Sequence, residues 1–215
     1  MISEKLRAKN SRLCRMHGRL FLYLKTRAAR KSGGNVNNVP NIWNITKKSL
    51  SLQQRIFLCM EDVVKIASYI CDRYQKEFGT RIDEMKLHKL LYFTQRECIA
   101  QTGEPMFDAT FHAWMYGPVI PAIRSLYKHD MLHELPSKDI IAKYSPVFDE
   151  VFKELAPTKS VMLSVISHGE LSWKRARVGY GKYDESDVPM KFEDIVEDAL
   201  RYRERCLRLQ ELGVS

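Results

Sequence analysis

Ser167, His168 and Glu170 put a hydroxyl, an imidazole and a carboxylate within four residues, the group types of an acyl-transfer triad. Their spacing argues against that chemistry. A triad draws its members from separated segments so that they converge on one atom, whereas these three would share a single helix start. Ser followed three residues later by Glu is instead the spacing of a capping box, in which each side chain meets a free backbone N–H of the other end. Metal chemistry is no better supplied. His88, His112 and His168 stand apart, and His129 and His133, four apart, lie in a segment of weak helical pattern with no following ligand. The expectation is a protein that is not an enzyme, with no catalytic residues, no cofactor and no metal.

Contact chemistry is better represented. Trp114, Tyr116, Gly117 and Pro118 cluster large aromatics at a bend, and such rings bury much area at low entropy cost and dominate interface hot spots. Lys86 and Lys89, three apart on the outer side of one helix, are placed to meet acidic groups. With Tyr92, His168 and Trp173 they make up the candidate partner-binding residues. The alternative for the bend is a structural corner, in which Gly117 supplies an unusual φ, Pro118 opens a helix and the rings fill the core. The alternative for the lysines is a solvated helix face.

The elements that would position these residues can be read from periodicity. Val63, Ile66, Ala67, Ile70, Cys71 and Tyr74 recur at three- and four-residue steps and predict one buried helix face, ended by Gly79. A second helix follows Asp83, with Leu87, Leu90, Leu91, Thr94 and Cys98 inward and Lys86, Lys89 and Arg96 pointing elsewhere. It stops at Gly103, ahead of Pro105. Residues 110–116 alternate, with Phe111, Ala113 and Met115 on one face, and predict a short strand. Pro118 is placed at the first position of the next helix, whose apolar side is Ile120, Ile123, Leu126 and Tyr127. Ser145-Pro146 opens another, with Phe148, Val151, Phe152 and Leu155 as its stripe. Residues 161–166 read as a short buried helix, and the helix opened at Ser167 carries Leu171, Trp173, Ala176 and Arg177. Residues 178–188 read as a loop or small hairpin. The last helix spans about 192–209, its acids early and its arginines late, as the helix dipole favours. The expected fold is mainly α: a single compact helical domain of six or seven helices with one short strand or hairpin.

The charge is unevenly divided. Residues 1–50 hold 12 Lys and Arg against one acid, Glu4, while residues 51–215 hold 23 against 25, and the two parts give the chain's net +9. The basic character therefore belongs to an N-terminal arm, residues 1–59, expected to be poorly ordered and to carry a linker at 32–40. Nucleic acid is an expected partner only through that arm. Met60 directly precedes the first well-patterned helix, so a translation start there is one expectation for the arm and an organelle transit peptide another. Apolar runs are short, as at residues 20–24, far below the ~20 residues that cross a bilayer, so neither membrane insertion nor secretion is expected. The five cysteines, Cys14, Cys59, Cys71, Cys98 and Cys206, are scattered and never in CxxC spacing, and read as free thiols of a reducing cytosol.

Three ordered blocks carry a family resemblance. Lys86-Leu87-His88-Lys89-Leu90-Leu91-Tyr92-Phe93-Thr94-Gln95 resembles the Lys-Leu-x-Lys-Leu-Leu-Tyr-aromatic-x-Gln helix of the Panacea domain, the SocA-like antitoxin family that also occurs in phage-associated proteins. Phe107-Asp108 with Ala113-Trp114-Met115-Tyr116-Gly117-Pro118-Val119-Ile120-Pro121 resembles its Ala-Trp-x-Tyr/His-Gly-Pro-Val block. Leu163, Ser167-His168, Trp173, Ala176 and Arg177 resemble its third block, with Ser167 where Thr is usual. The resemblance covers residues 60–209 and leaves the arm without a counterpart. It implies a cytoplasmic antitoxin of bacteria and their phages that neutralises a toxin encoded by a neighbouring gene through direct protein contact, and it implies no reaction; the silencing is either steric or by delivery of the toxin to a protease, and the sequence does not choose between them. The alternative is a DNA-binding transcriptional regulator of its own operon, or a phage-associated regulatory protein.

Overall fold

A computed structural model describes residues 60–213, Lys182 excepted. The expectations placed on residues 1–59 (the basic arm and its linker, the start at Met60, the Cys14 and Cys59 thiols) lie outside the described residues. The domain is mainly helical, with eight helices and one two-stranded hairpin among the described residues. In order these are α1 (Val63–Phe78), α2 (Glu84–Thr102), β1 (His112–Trp114), β2 (Gly117–Val119), α3 (Pro121–Lys128), α4 (Lys138–Lys143), α5 (Ser145–Glu154), α6 (Ser160–His168), α7 (Leu171–Ala176) and α8 (Phe192–Glu211). The helix beyond those expected, α4, is a six-residue turn capped by Ser137 and too short to show a periodic stripe. None of the described helices is long and apolar enough to cross a membrane.

The first two helices follow their sequence signals. Asp62 and Asp83 cap α1 and α2 by accepting from the N–H of Val64 and Lys86, and Gly79 and Gly103 end them with φ of 69° and 78°, a region that suits glycine. The role of α2 is not the half-buried one that its leucine stripe predicts. It packs against α1, α5, α6, α8 and β2, and every residue from Lys86 to Ala100 is buried. Its polar side chains therefore need partners inside, and three of them, Lys86, Gln95 and Arg96, tie down other parts of the chain. Lys86 donates to Tyr74 Oη and to the Ala156 carbonyl, both at 3.0 Å. Gln95 donates to the Phe107 carbonyl (2.9 Å) and accepts from the N–H of Met106 (3.0 Å). Arg96 pairs with Glu170 at 2.7 Å and lies over the Phe93 and Tyr202 rings. Lys86, Lys89 and Arg96 are thus not a solvated face, because the helix that carries them is enclosed on all sides.

The hairpin joins His112 to Val119, Ala113 to Pro118 and Trp114 to Gly117 around the two-residue turn Met115-Tyr116. Pro118 is therefore within a strand and not the first residue of a helix; Pro121 is the residue that opens α3. A proline fits there because β2 is an edge strand, with no ladder on its far side for the missing N–H to serve. The other side of β1 is covered by residues 188–190. Ala113 N–H donates to the Val188 carbonyl at 2.9 Å and Met190 N–H to the Phe111 carbonyl at 2.7 Å. The remaining cysteines, Cys71, Cys98 and Cys206, are free thiols, and burial pushes Cys71 and Cys98 up to about 11.

Candidate functional site

Gly117 has the closest surroundings of the described glycines. Gly117 has φ of 103°, and a Cβ there would sit against Ser167 Oγ and 2.7 Å from Lys89 Cε. Lys89 reaches this point from α2 and donates to the Pro118 carbonyl at 3.0 Å. With 1% of its surface exposed, it is held down to about 7 by burial, against a weaker pull upward from Asp83. Its neighbour His88, whose Nδ1 accepts from Ile120 N–H, is lowered to about 3, first by burial and then by the charges of Lys89 and Arg124.

Lys89 gives a stability prediction with a definite sign. The unfolded lysine holds its proton up to 10.5 and the folded one to about 7, so between those values the unfolded chain binds more protons and unfolding free energy rises with pH. Below about 7 both states are protonated and the burial penalty is complete. Denaturant titrations between pH 7 and 8.5 should show a gain of between about 1 and 2 kcal/mol, since the slope starts near half of ~1.36 kcal/mol per pH unit at the folded value and approaches the whole of it above, and Lys89→Met should remove that slope. Above about pH 9 the raised thiols of Cys71 and Cys98 act in the opposite sense, since they ionise more readily unfolded. A wild-type chain with a flat profile from 7 to 8.5 would contradict the assignment.

Beside this corner the hairpin carries a deck of aromatic and polar groups. Trp114 Nε1 donates to Asp187 Oδ1 at 2.8 Å, and His112 Nδ1 meets the same oxygen at 2.8 Å. Those two contacts hold the exposed Asp187 carboxyl below its usual value, the Trp114 bond being the larger cause. Trp173 Nε1 donates to the Trp114 carbonyl at 2.9 Å, and His168 stacks on the Trp173 ring with centroids 3.9 Å apart and planes 14° from parallel. Arg124 lies over the Trp114 ring and Arg177 over Trp173. Arg177 also donates to the carbonyls of Gly181 (2.7 Å) and Asp184 (2.8 Å), which shapes the loop that brings Asp187 round. Ser164 Oγ donates to the Tyr116 carbonyl at 2.8 Å, which fixes α6 beneath the turn.

Of the nine candidate residues, the structure gathers Lys89, Trp114, Tyr116, Gly117, Pro118, His168 and Trp173 around the hairpin. Tyr116 is the most open of them, at 58% exposed; Trp114, His168 and Trp173 are half-buried, and Lys89, Gly117 and Pro118 are interior. Tyr92, one turn along α2 from Lys89, is fully buried and bonded to Asp198 and Ser172. Lys86 is buried in the first turn of that helix, close to Tyr74.

The Ser167–Glu170 capping box is not formed. Ser167 is the penultimate residue of α6 and donates to the Ser164 carbonyl, while Glu170 is committed to Arg96. Burial pushes the Glu170 carboxyl up, against the pull of Arg96. The start of α7 is capped from a distance instead. Asp198 on α8 accepts from the N–H groups of Leu171 (2.7 Å) and Ser172 (2.9 Å). His129 and His133 lie beyond the end of α3 and do not share a helix. Among the described residues, no three His, Cys, Asp or Glu side chains gather as a metal site requires.

One element departs further from its sequence reading. The buried helix expected at 161–166 is α6, and it exposes Val161, Met162, Val165 and Ile166 while burying Leu163, Ser164 and Ser167. Asp187, Asp198 and Ser164, all central to the geometry above, have no local sequence signal, because each acts on a partner at least 26 residues away.

Comparison with known proteins finds one family model. Residues 87–174 match the model described as antitoxin SocA-like, Panacea domain. The match runs from α2 through the hairpin and α6 into α7. No curated protein and no solved structure matches the chain.

Proposed function

We propose, from the resemblance of residues 87–174 to the SocA-like antitoxin domain, that this chain is the antitoxin of a toxin–antitoxin system and silences a cognate toxin by direct protein contact in the cytoplasm. The observation that carries the reading is how the matched segments are used. Lys89 to Pro118, Ser164 to Tyr116 and Trp173 to Trp114 lock α2, α6 and α7 onto the hairpin. The side chains with reactive potential at this site are spent on those structural bonds, and Tyr116 is held outward on a rigid turn. A preorganised aromatic on a stiff support suits adhesion, since little freedom is lost when a partner arrives. Silencing can proceed by occlusion of the toxin or by its delivery to a protease. The charge of residues 1–50, +11 by sequence, favours nucleic acid as a second partner, and binding through it would weaken steeply with salt.

The test is co-expression of the full chain with the product of the neighbouring gene. That product alone is expected to arrest growth, and the pair is expected to grow normally and to co-purify. A neighbour that is harmless alone and never associates with the chain would end the antitoxin reading.

A further inference from the structure

The two faces of α6 are the reverse of what burial would select. Its inner side presents Leu163 and two serines, Ser164 and Ser167. Its outer side presents Val161, Met162, Val165 and Ile166, exposed by 67%, 51%, 57% and 38%. The apolar stripe of a surface helix ordinarily faces the core, so an outer face of this kind is the informative exception to ordinary surface exposure. The hairpin explains why the helix does not turn over. Ser167 Oγ fills the space beside Gly117, Ser164 Oγ holds the Tyr116 carbonyl, and His168 stacks on Trp173. Only small residues fit under the turn, and the bulky ones are left outside. Positions 161, 162, 165 and 166 lie side by side on one helical stripe.

We propose that this stripe is the docking surface for a second protein chain, one that presents an apolar ridge with carboxylates at both ends. Charge selects the occupant. Lys159 directly precedes α6, and Lys174 Nζ donates to the Gly169 carbonyl (2.8 Å) just beyond its other end. The acids nearest these ends are already engaged, Asp83 by Ser160 Oγ and Lys86 N–H, and Glu170 by Arg96. A second copy of this chain would set lysine against lysine whether the two helices ran parallel or antiparallel, a juxtaposition that interfaces avoid. Residues 1–50, with twelve cationic side chains and one acid, carry the wrong sign for the same reason. A partner with acidic flanks is attracted at both ends and covers the apolar centre. That this partner is the cognate toxin rests on the proposed function; the position of the surface rests on α6 alone.

The experiment measures the affinity of the full chain for the neighbouring gene's product, by calorimetry and by growth rescue. Val161→Glu/Val165→Glu should weaken binding at least 100-fold and abolish rescue while the thermal midpoint stays at the wild-type value. Lys159→Gln/Lys174→Gln, which leaves the apolar stripe intact, should weaken it about tenfold at low ionic strength and reduce its dependence on salt. Wild-type affinity in the glutamate double variant would remove the surface and leave the antitoxin reading standing. A wild-type chain that never binds the neighbour would remove both. A homodimer broken by Val165→Glu, or a stripe that becomes protease-sensitive only when residues 1–59 are deleted, would give the face to a second copy or to the chain's own N-terminal segment and overturn the proposal.

Discussion

Gly117→Ala is expected to destabilise the domain by about 3 kcal/mol or more, enough to unfold a marginal chain. Two independent effects combine. A φ of 103° is open to glycine and strained for any residue with a Cβ, at a cost of order 1–3 kcal/mol. The added methyl would also collide with Ser167 Oγ and approach Lys89 Cε to 2.7 Å and Nζ to 2.9 Å, and overpacking of this kind typically adds about 1–3 kcal/mol. Neither neighbour moves freely, since Lys89 is fixed by the Pro118 carbonyl and Ser167 by the Ser164 carbonyl. Guanidinium titration of the purified variant measures the loss. Lys89→Ala in the same chain should recover the lysine's part of the steric share but neither the Ser167 collision nor the backbone share, so the double-mutant cycle isolates the Lys89 contact. A Gly117→Ala protein within ~1 kcal/mol of wild type would show that the corner is looser than the geometry implies.

Asp198→Ala should cost a comparable amount, about 3–5 kcal/mol, for a different reason. This carboxylate is 3% exposed and accepts three hydrogen bonds: from Leu171 N–H, from Ser172 N–H and from Tyr92 Oη at 3.1 Å. Glu170, at the N-cap position of α7, makes no side-chain cap, so removing Asp198 leaves the first N–H groups of that helix and a buried phenol without their acceptor. Tyr92 keeps only Ser172 Oγ at 2.9 Å. Asp198→Asn retains an acceptor and should lose about half as much, whereas Tyr92→Phe, which removes one donor, should cost about 1 kcal/mol. If Asp198→Ala melts with the wild type, α7 is held by something other than this carboxylate.

The Asp198 bond also shows where sequence reading stops. The Ser167–Glu170 spacing is a genuine local signal, yet both side chains are claimed by distant groups, and the cap arrives from a helix 27 residues further on. Local spacing carries no information about such a partner. The helices with one apolar stripe, α1, α5 and α8, were legible because one face meets the core and the other meets water. α2 was legible as a helix but not as an enclosed one, because its lysines and arginine look like a solvated side until the five elements around it are known. Pro118 misleads for a related reason: Gly-Pro after an alternating run resembles a helix start, and only the pairing with Ala113 makes it a strand. The aromatic bend was found from residue types alone. Which aromatics face outward was not, since that depends on Asp187, Ser164 and Trp173 reaching in from elsewhere.

The serines under α6 have an evolutionary consequence. Folding depends on Ser164, Ser167 and Leu163, which look inward, while Val161, Met162, Val165 and Ile166 are between 38% and 67% exposed. A lineage can therefore rewrite those four codons with small effect on the fold, and a library randomised there should remain largely foldable. For the docking surface proposed above, a handful of nucleotide changes suffices to alter what it fits without rebuilding the scaffold.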